Sequence, residues 1–140
     1  MTIARFSLDQ QVAALNRHDV DTFLSFYAPE AMITDPQYPE ALQGIAAIRK
    51  DMEDFLRALP DLKFTVDTRV DDGQTVAFEG TCRGTHNGPM ATPQGEIPAT
   101  GRPVTMRFAA FVRLSPDGRI AQERRYYDVA GVIQQLGLTT

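Results

Sequence analysis

The main change in the spacing of apolar residues along this chain comes at Pro60. Before it, three stretches repeat at intervals of three and four, the signature of a helix with one buried face. Leu8, Val12 and Leu15 form the first, with Ser7 as N-cap and Gln10 completing a capping-box pattern. Phe23, Leu24, Phe26 and Tyr27 form the second, behind a capping Asp19 and closed by Pro29. Ile45, Ile48, Met52, Phe55, Leu56 and Leu59 form the third, which Pro60 ends. Between the second and third, Ala31–Thr34 reads as a short strand stopping at Asp35-Pro36.

After Pro60 the period is two. Leu62, Phe64, Val66, Thr68 and Val70 alternate with polar residues, and Asp71-Asp72-Gly73 supplies a hairpin turn. Further strands are expected at 74–86, 102–114 and 119–127, with a Gly/Pro-rich loop at 87–101 and a turn at Ser115-Pro116-Asp117-Gly118. Helical spacing returns at Val129, Val132, Ile133 and Leu136, with Gly137 as the stop. Helices followed by an antiparallel meander predict an α+β architecture. Helices laid across a curved sheet of four to six strands make a barrel-like cone, and a small ligand belongs between its layers.

Composition narrows the function classes. A chain of 140 residues fits a single domain, 1–140, and 43% hydrophobic with 23% charged residues is ordinary for a globular protein. The net charge of −4 argues against a nucleic-acid partner, and the one basic cluster, Arg124–Arg125 with Arg113 and Arg119, is too small to reverse that. No apolar run reaches the roughly 20 residues that span a membrane. Residues 1–11 lack a signal-peptide pattern, and the single Cys82 excludes an internal disulfide. A cytoplasmic setting is therefore expected. Two histidines and one cysteine, widely spaced, give no structural metal site, and no glycine-rich loop opens a helix after a strand. No cofactor is expected.

Several residues carry candidate chemistry. Asp128, between the last strand and the last helix, is placed either to move protons from a buried site or to cap that helix. His86 ends a strand on the same parity as Phe78, Gly80 and Cys82, so it faces the pocket or the core. Asp35, before Pro36, is a turn residue or a pocket carboxylate. Tyr126, Tyr127, Phe78, Phe108, Phe111 and Met106 are bulky enough to line a hydrophobic ligand or to be plain core.

Three motifs in the second half occur in a familiar order: Arg83-Gly84-Thr85-His86-Asn87-Gly88-Pro89, then Ile97-Pro98-Ala99-Thr100-Gly101-Arg102, then Asp117–Ile120 running on to Tyr127-Asp128-Val129-Ala130-Gly131. Together with Pro60-Asp61-Leu62, they resemble the SnoaL-like polyketide cyclases of the nuclear-transport-factor-2-like (NTF2-like) superfamily. The resemblance implies an NTF2-like cone and a homodimer or homotetramer. It also implies cofactor-independent, aldol-type ring closure of a hydrophobic, carbonyl-rich molecule. In that family an aspartate at the end of the last strand is the acid/base, which matches Asp128, with His86 assisting. The chain departs from the family's Glu-x-Trp pattern, since Glu123-Arg124-Arg125 has no Trp.

Two neighbouring chemistries fit less well. Asp35-Pro36 is similar to the steroid isomerases, but the first helix offers Gln11 where they have a Tyr, and Val104–Phe111 contains no acid. The epoxide-hydrolase-like branch needs an Asp-Arg-Asp constellation, and Arg107 has only Thr105 and Ala109 beside it. The rival of another class is a non-catalytic ligand-binding or dimerisation module on the same scaffold.

Overall fold

The computed structural model describes residues 5–138, so the ends of the expected 1–140 domain lie outside it. Among the described residues, four helices and eight strands follow one another in a mixed α+β order. Helix α1 (Leu8–Asn16) starts where Ser7 Oγ accepts from the Gln10 amide, and α2 (Val20–Leu24) where Asp19 accepts from the Thr22 amide. Such caps are worth about 1 kcal/mol each. Helix α2 is shorter than expected. Tyr27 begins strand β1 (Tyr27–Thr34), and Pro29 falls in its irregular stretch between Tyr27 and Met32, where proline can be accommodated.

Strand β2 (Leu42–Gln43) pairs with β1, and α3 (Ile45–Ala58) follows. The meander is then β3 (Lys63–Asp71), β4 (Thr75–Thr85), β7 (Pro103–Leu114) and β8 (Ile120–Tyr127). The segment expected as a loop, 87–101, folds back as a hairpin of β5 (Met90–Thr92) and β6 (Gly95–Ile97), a separate two-stranded sheet. Helix α4 (Val129–Gln135) ends the described chain.

The main sheet has the order β2-β1-β8-β7-β4-β3. Two features correct the expectation. Strand β1 joins β8 in parallel, so the sheet is not purely antiparallel. Strands β2 and β3 are free edges, so it is a curved open sheet and not a closed barrel. Period-two alternation sends Val104, Ala110 and Val112 of β7 and Phe64 of β3 into the core beneath the helices. Gly80 has a packing reason: a Cβ there would collide with the Phe64 ring, so its bare backbone leaves room for that ring against β4.

Candidate active site

The layers do not fill the cone. A cavity of about 430 Å³ remains between the sheet and helices α1, α3 and α4, large enough for a small organic molecule. Its sheet-side wall is aromatic. Phe108 stacks on Tyr127 with centroids 5.9 Å apart, Phe78 tilts against Phe108, and Phe64 meets both edge-on. Phe78, Phe108 and Met106, expected as ligand-lining residues, all border the cavity, and so does Asp35.

One end of the cavity is polar. The inward residues of β8 are Glu123, Arg125 and Tyr127, and β1 delivers Asp35 beside them. Asp35 is 4% exposed. Its Oδ1 accepts from the Tyr127 hydroxyl (2.6 Å) and from the Gln37 amide (2.8 Å), and its Oδ2 from Arg125 Nη1 (3.2 Å). The same Nη1 donates to Asp51 of α3 (2.9 Å), whose other oxygen accepts from the Tyr38 hydroxyl (2.7 Å). Arg125 Nε donates to Glu123 (2.6 Å), and Tyr27 donates to the other Glu123 oxygen (2.7 Å). Three carboxylates thus surround one guanidinium, and each also accepts from a tyrosine hydroxyl.

The electrostatics follow from burial. Burial opposes the charge on Arg125, but Glu123, Asp51, Tyr27 and Asp35 outweigh it and hold the guanidinium protonated more firmly than usual. Burial, reinforced by the adjoining carboxylate, pushes the phenols of Tyr27, Tyr38 and Tyr127 above their ordinary range, so all three remain hydrogen-bond donors. Cys82, also on the cavity wall, is pushed up by burial to about 12 and behaves as an apolar residue there.

The other expected site residues lie elsewhere. Asp128 is exposed and is the N-cap of α4, its Oδ1 accepting from the Gly131 amide at 2.9 Å. A Cβ at residue 131 would strike that carboxylate, so the glycine belongs to the cap. Tyr126 is 53% exposed on the outer face of the sheet, edge-on to Phe111, whose ring lies under Arg124. His86 is wholly buried but does not line the cavity. It ties together the two ends of the 87–101 excursion: its amide donates to Arg102 O, its carbonyl accepts from the Gly101 amide, and its Nδ1 accepts from the Thr100 amide at 3.2 Å. Nδ1 also lies 2.9 Å from Thr100 Oγ1, and Nε2 has no partner among the described residues. Burial lowers the His86 pKa.

The structure therefore corrects the expected pairing of Asp128 with His86 and gathers Asp35, Asp51, Glu123, Arg125, Tyr27, Tyr38 and Tyr127 instead. Arg107 lies on the exposed outer face of β7, yet two aspartates on one arginine do form, around Arg125. The signal was present in the alternation of Glu123, Arg125 and Tyr127. Among the described residues no group of three His, Cys, Asp or Glu is arranged to hold a metal ion, and no helix is long and apolar enough to cross a membrane.

No curated protein matches the chain. Solved structures do match. A proposed SnoaL-like polyketide cyclase from Jannaschia sp. CCS1 superposes with a TM-score of 0.78 at 16% identity, covering 94% of this chain and 92% of that one. TsrD from Streptomyces laurentii gives 0.78 at 25%, covering 93% and 91%. IdmH from Streptomyces antibioticus, a proposed polyketide cyclase, gives 0.73 at 26%, covering 94% and 96%. These likenesses agree with the NTF2-like fold. The profile of the SnoaL-like domain extends over residues 8–123, from the start of α1 to the Glu123 that anchors the polar cluster, and the chain belongs to that family.

Proposed function

We propose that the protein is an acid–base enzyme of the cyclase or isomerase type, in which Asp35 moves the proton on a hydrophobic carbonyl compound held in the cavity. The observation that carries this reading is the carboxylate of Asp35, buried at the polar end of an apolar, aromatic-walled cavity. A carboxylate offers about four acceptor positions. Three on Asp35 are taken by Tyr127, Gln37 and Arg125, and the Arg125 bond is the longest of them. The remaining position on Oδ2 is available to a ligand proton.

In this reading Asp35 Oδ2 takes a proton from the carbon beside a carbonyl, and the C–H electron pair becomes an enolate. The enolate carbon attacks a second carbonyl in the same molecule, and the protonated Asp35 returns its proton to the new alkoxide. A positioned acid/base of this kind contributes about 10²–10⁴-fold in rate. The SnoaL-like family and its proposed cyclases support ring closure as the reaction class. A homo-oligomeric state and a cytoplasmic setting belong to the same reading.

The test uses 2-tetralone, a bicyclic ketone with exchangeable protons beside the carbonyl. In D₂O the parent protein should accelerate their exchange, followed by proton NMR, and Asp35→Asn should lose that acceleration by about 10²–10⁴-fold. Asp128→Asn should exchange at the parent rate. Exchange at the parent rate in Asp35→Asn would sink the reading. A parent that binds the ketone without exchanging it would favour the non-catalytic binding module.

A further inference from the structure

The donors grouped around Asp35 are almost all committed. Tyr27, Tyr38 and Tyr127 each give their hydroxyl proton to a carboxylate. Arg125 spends Nε on Glu123 and both protons of Nη1 on Asp51 and Asp35. A guanidinium has five N–H donors. The two on Nη2 make no hydrogen bond to any described residue, although Arg125 is only 8% exposed. What Arg125 borders is the cavity. Its plane is fixed on two sides, by Glu123 and by the two aspartates, so it cannot turn Nη2 elsewhere without breaking those pairs.

We propose that Arg125 Nη2 is the seat for an acceptor oxygen of the bound molecule, in the first instance a ketone carbonyl. The proposal deepens the reading above and rests on it in taking the ligand to be a carbonyl compound. The tyrosines are poorer candidates, because each would have to abandon a carboxylate to turn toward a ligand. The competitor is Gln11, which lines the cavity from α1 and commits one amide proton to Phe23 O at 3.4 Å. Arg125 has the stronger claim because its charge persists and a charge-assisted bond is about twice as strong as a neutral one.

The consequence for the chemistry is geometric. The carbonyl oxygen rests on one nitrogen of the guanidinium while Asp35 rests on the other. The carbon next to the carbonyl is thereby brought beside Asp35 Oδ2. When its C–H bond breaks and the proton passes to Asp35, the negative charge left on the enolate oxygen stays hydrogen-bonded to the cation. Glu123, which accepts from Tyr27, holds Arg125 Nε and so serves as a positioning residue for the guanidinium.

The experiment uses two probes of nearly the same shape: 2-acetonaphthone, whose only polar group is an acceptor, and 2-isopropenylnaphthalene, which has none. With ¹³C in the carbonyl, isotope-edited infrared should show the bound ketone stretch moved to lower wavenumber. The ketone should bind about tenfold more tightly than the hydrocarbon. In Arg125→Lys the shift and the tenfold preference should disappear while hydrocarbon affinity is kept. Arg125 ¹⁵Nη resonances in the parent protein, which need no substitution, should move with the ketone and not with the hydrocarbon. No infrared shift in the parent, a shift that survives Arg125→Lys, or one lost in Gln11→Leu instead would each overturn the proposal. Asp35→Asn separates the two readings: the oxygen seat predicts that the ketone shift persists there, whatever becomes of proton exchange. If neither probe binds the parent, the seat and the cavity reading fall together.

Discussion

Asp35 and Asp128 follow the ends of β1 and β8, two strands that lie side by side and run in the same direction. One carboxylate is buried at the polar end of a cavity, and the other caps a helix in solvent. Composition does not separate them, since both follow a strand. Parity does. Side chains alternate along a strand, and Ile33 and Asp35 share the inner face of β1, as Glu123, Arg125 and Tyr127 share the inner face of β8. Asp128 comes one residue later and falls on the outward side with Arg124 and Tyr126. The difference teaches that a carboxylate at a strand end acquires its role from the face it inherits.

The comparison can be broken most decisively at Arg125. Arg125→Met would leave Asp35, Asp51 and Glu123 buried without their cation, and urea unfolding should show a loss of about 3–5 kcal/mol. Stability equal to the parent's would mean that the guanidinium does not hold the inner aspartate. A smaller effect tests the outer aspartate. Asp128→Ala should cost about 1 kcal/mol. Gly131→Ala should cost a similar amount, and the double variant no more than the worse single, because both disable one cap. Full additivity would show that Asp128 is doing something other than capping.

The last effect reads pH. His86 is buried in its neutral form, and its folded pKa lies below the unfolded value of roughly 6.5. As pH falls through that unfolded value, the unfolded chain takes up a proton that the folded one resists. Stability is therefore complete above the unfolded pKa and declines in acid until the folded pKa is passed. Urea unfolding at stepped pH should show this slope, and His86→Gln should remove it. A slope unchanged in that variant would assign the titration to other groups.

Much of the fold was legible because periodicity is a property of local sequence. The three-and-four spacing of Ile45 to Leu59 and the alternation of Leu62 to Val70 each report a single buried face. The hairpin within 87–101 was not, since its three-residue strands are too short to show a period. The parallel pairing of β1 with β8 depends on segments far apart in the chain, which no window of local spacing contains. Of the site, the aromatic wall could be read from Phe78 and Phe108. The polar end could not, although its half on β8 was visible as Glu-x-Arg-x-Tyr. Tyr38 and Asp51 come from a loop and from α3, and only the folded chain shows that they meet Arg125. Position alone left Asp128 open to capping or to proton transfer, and only the family resemblance drew it toward the site; in space the missing side chain of Gly131 is what admits the carboxylate as a cap.

The parallel pairing of β1 with β8 has a consequence in time as well as in space. Asp35 and Arg125 are 90 positions apart, and β1 has only the two-residue β2 as its other neighbour in the sheet. During synthesis the first of these strands therefore waits, half-edged, until β8 has been made. Contacts of such long sequence separation are slow to form, because the loop between them must be closed before they repay its entropy. The polar end of the cavity is thus among the last parts of the molecule to assemble, and a ribosome product stopped before Ile120 would carry Asp35 with neither of the side-chain donors that hold it.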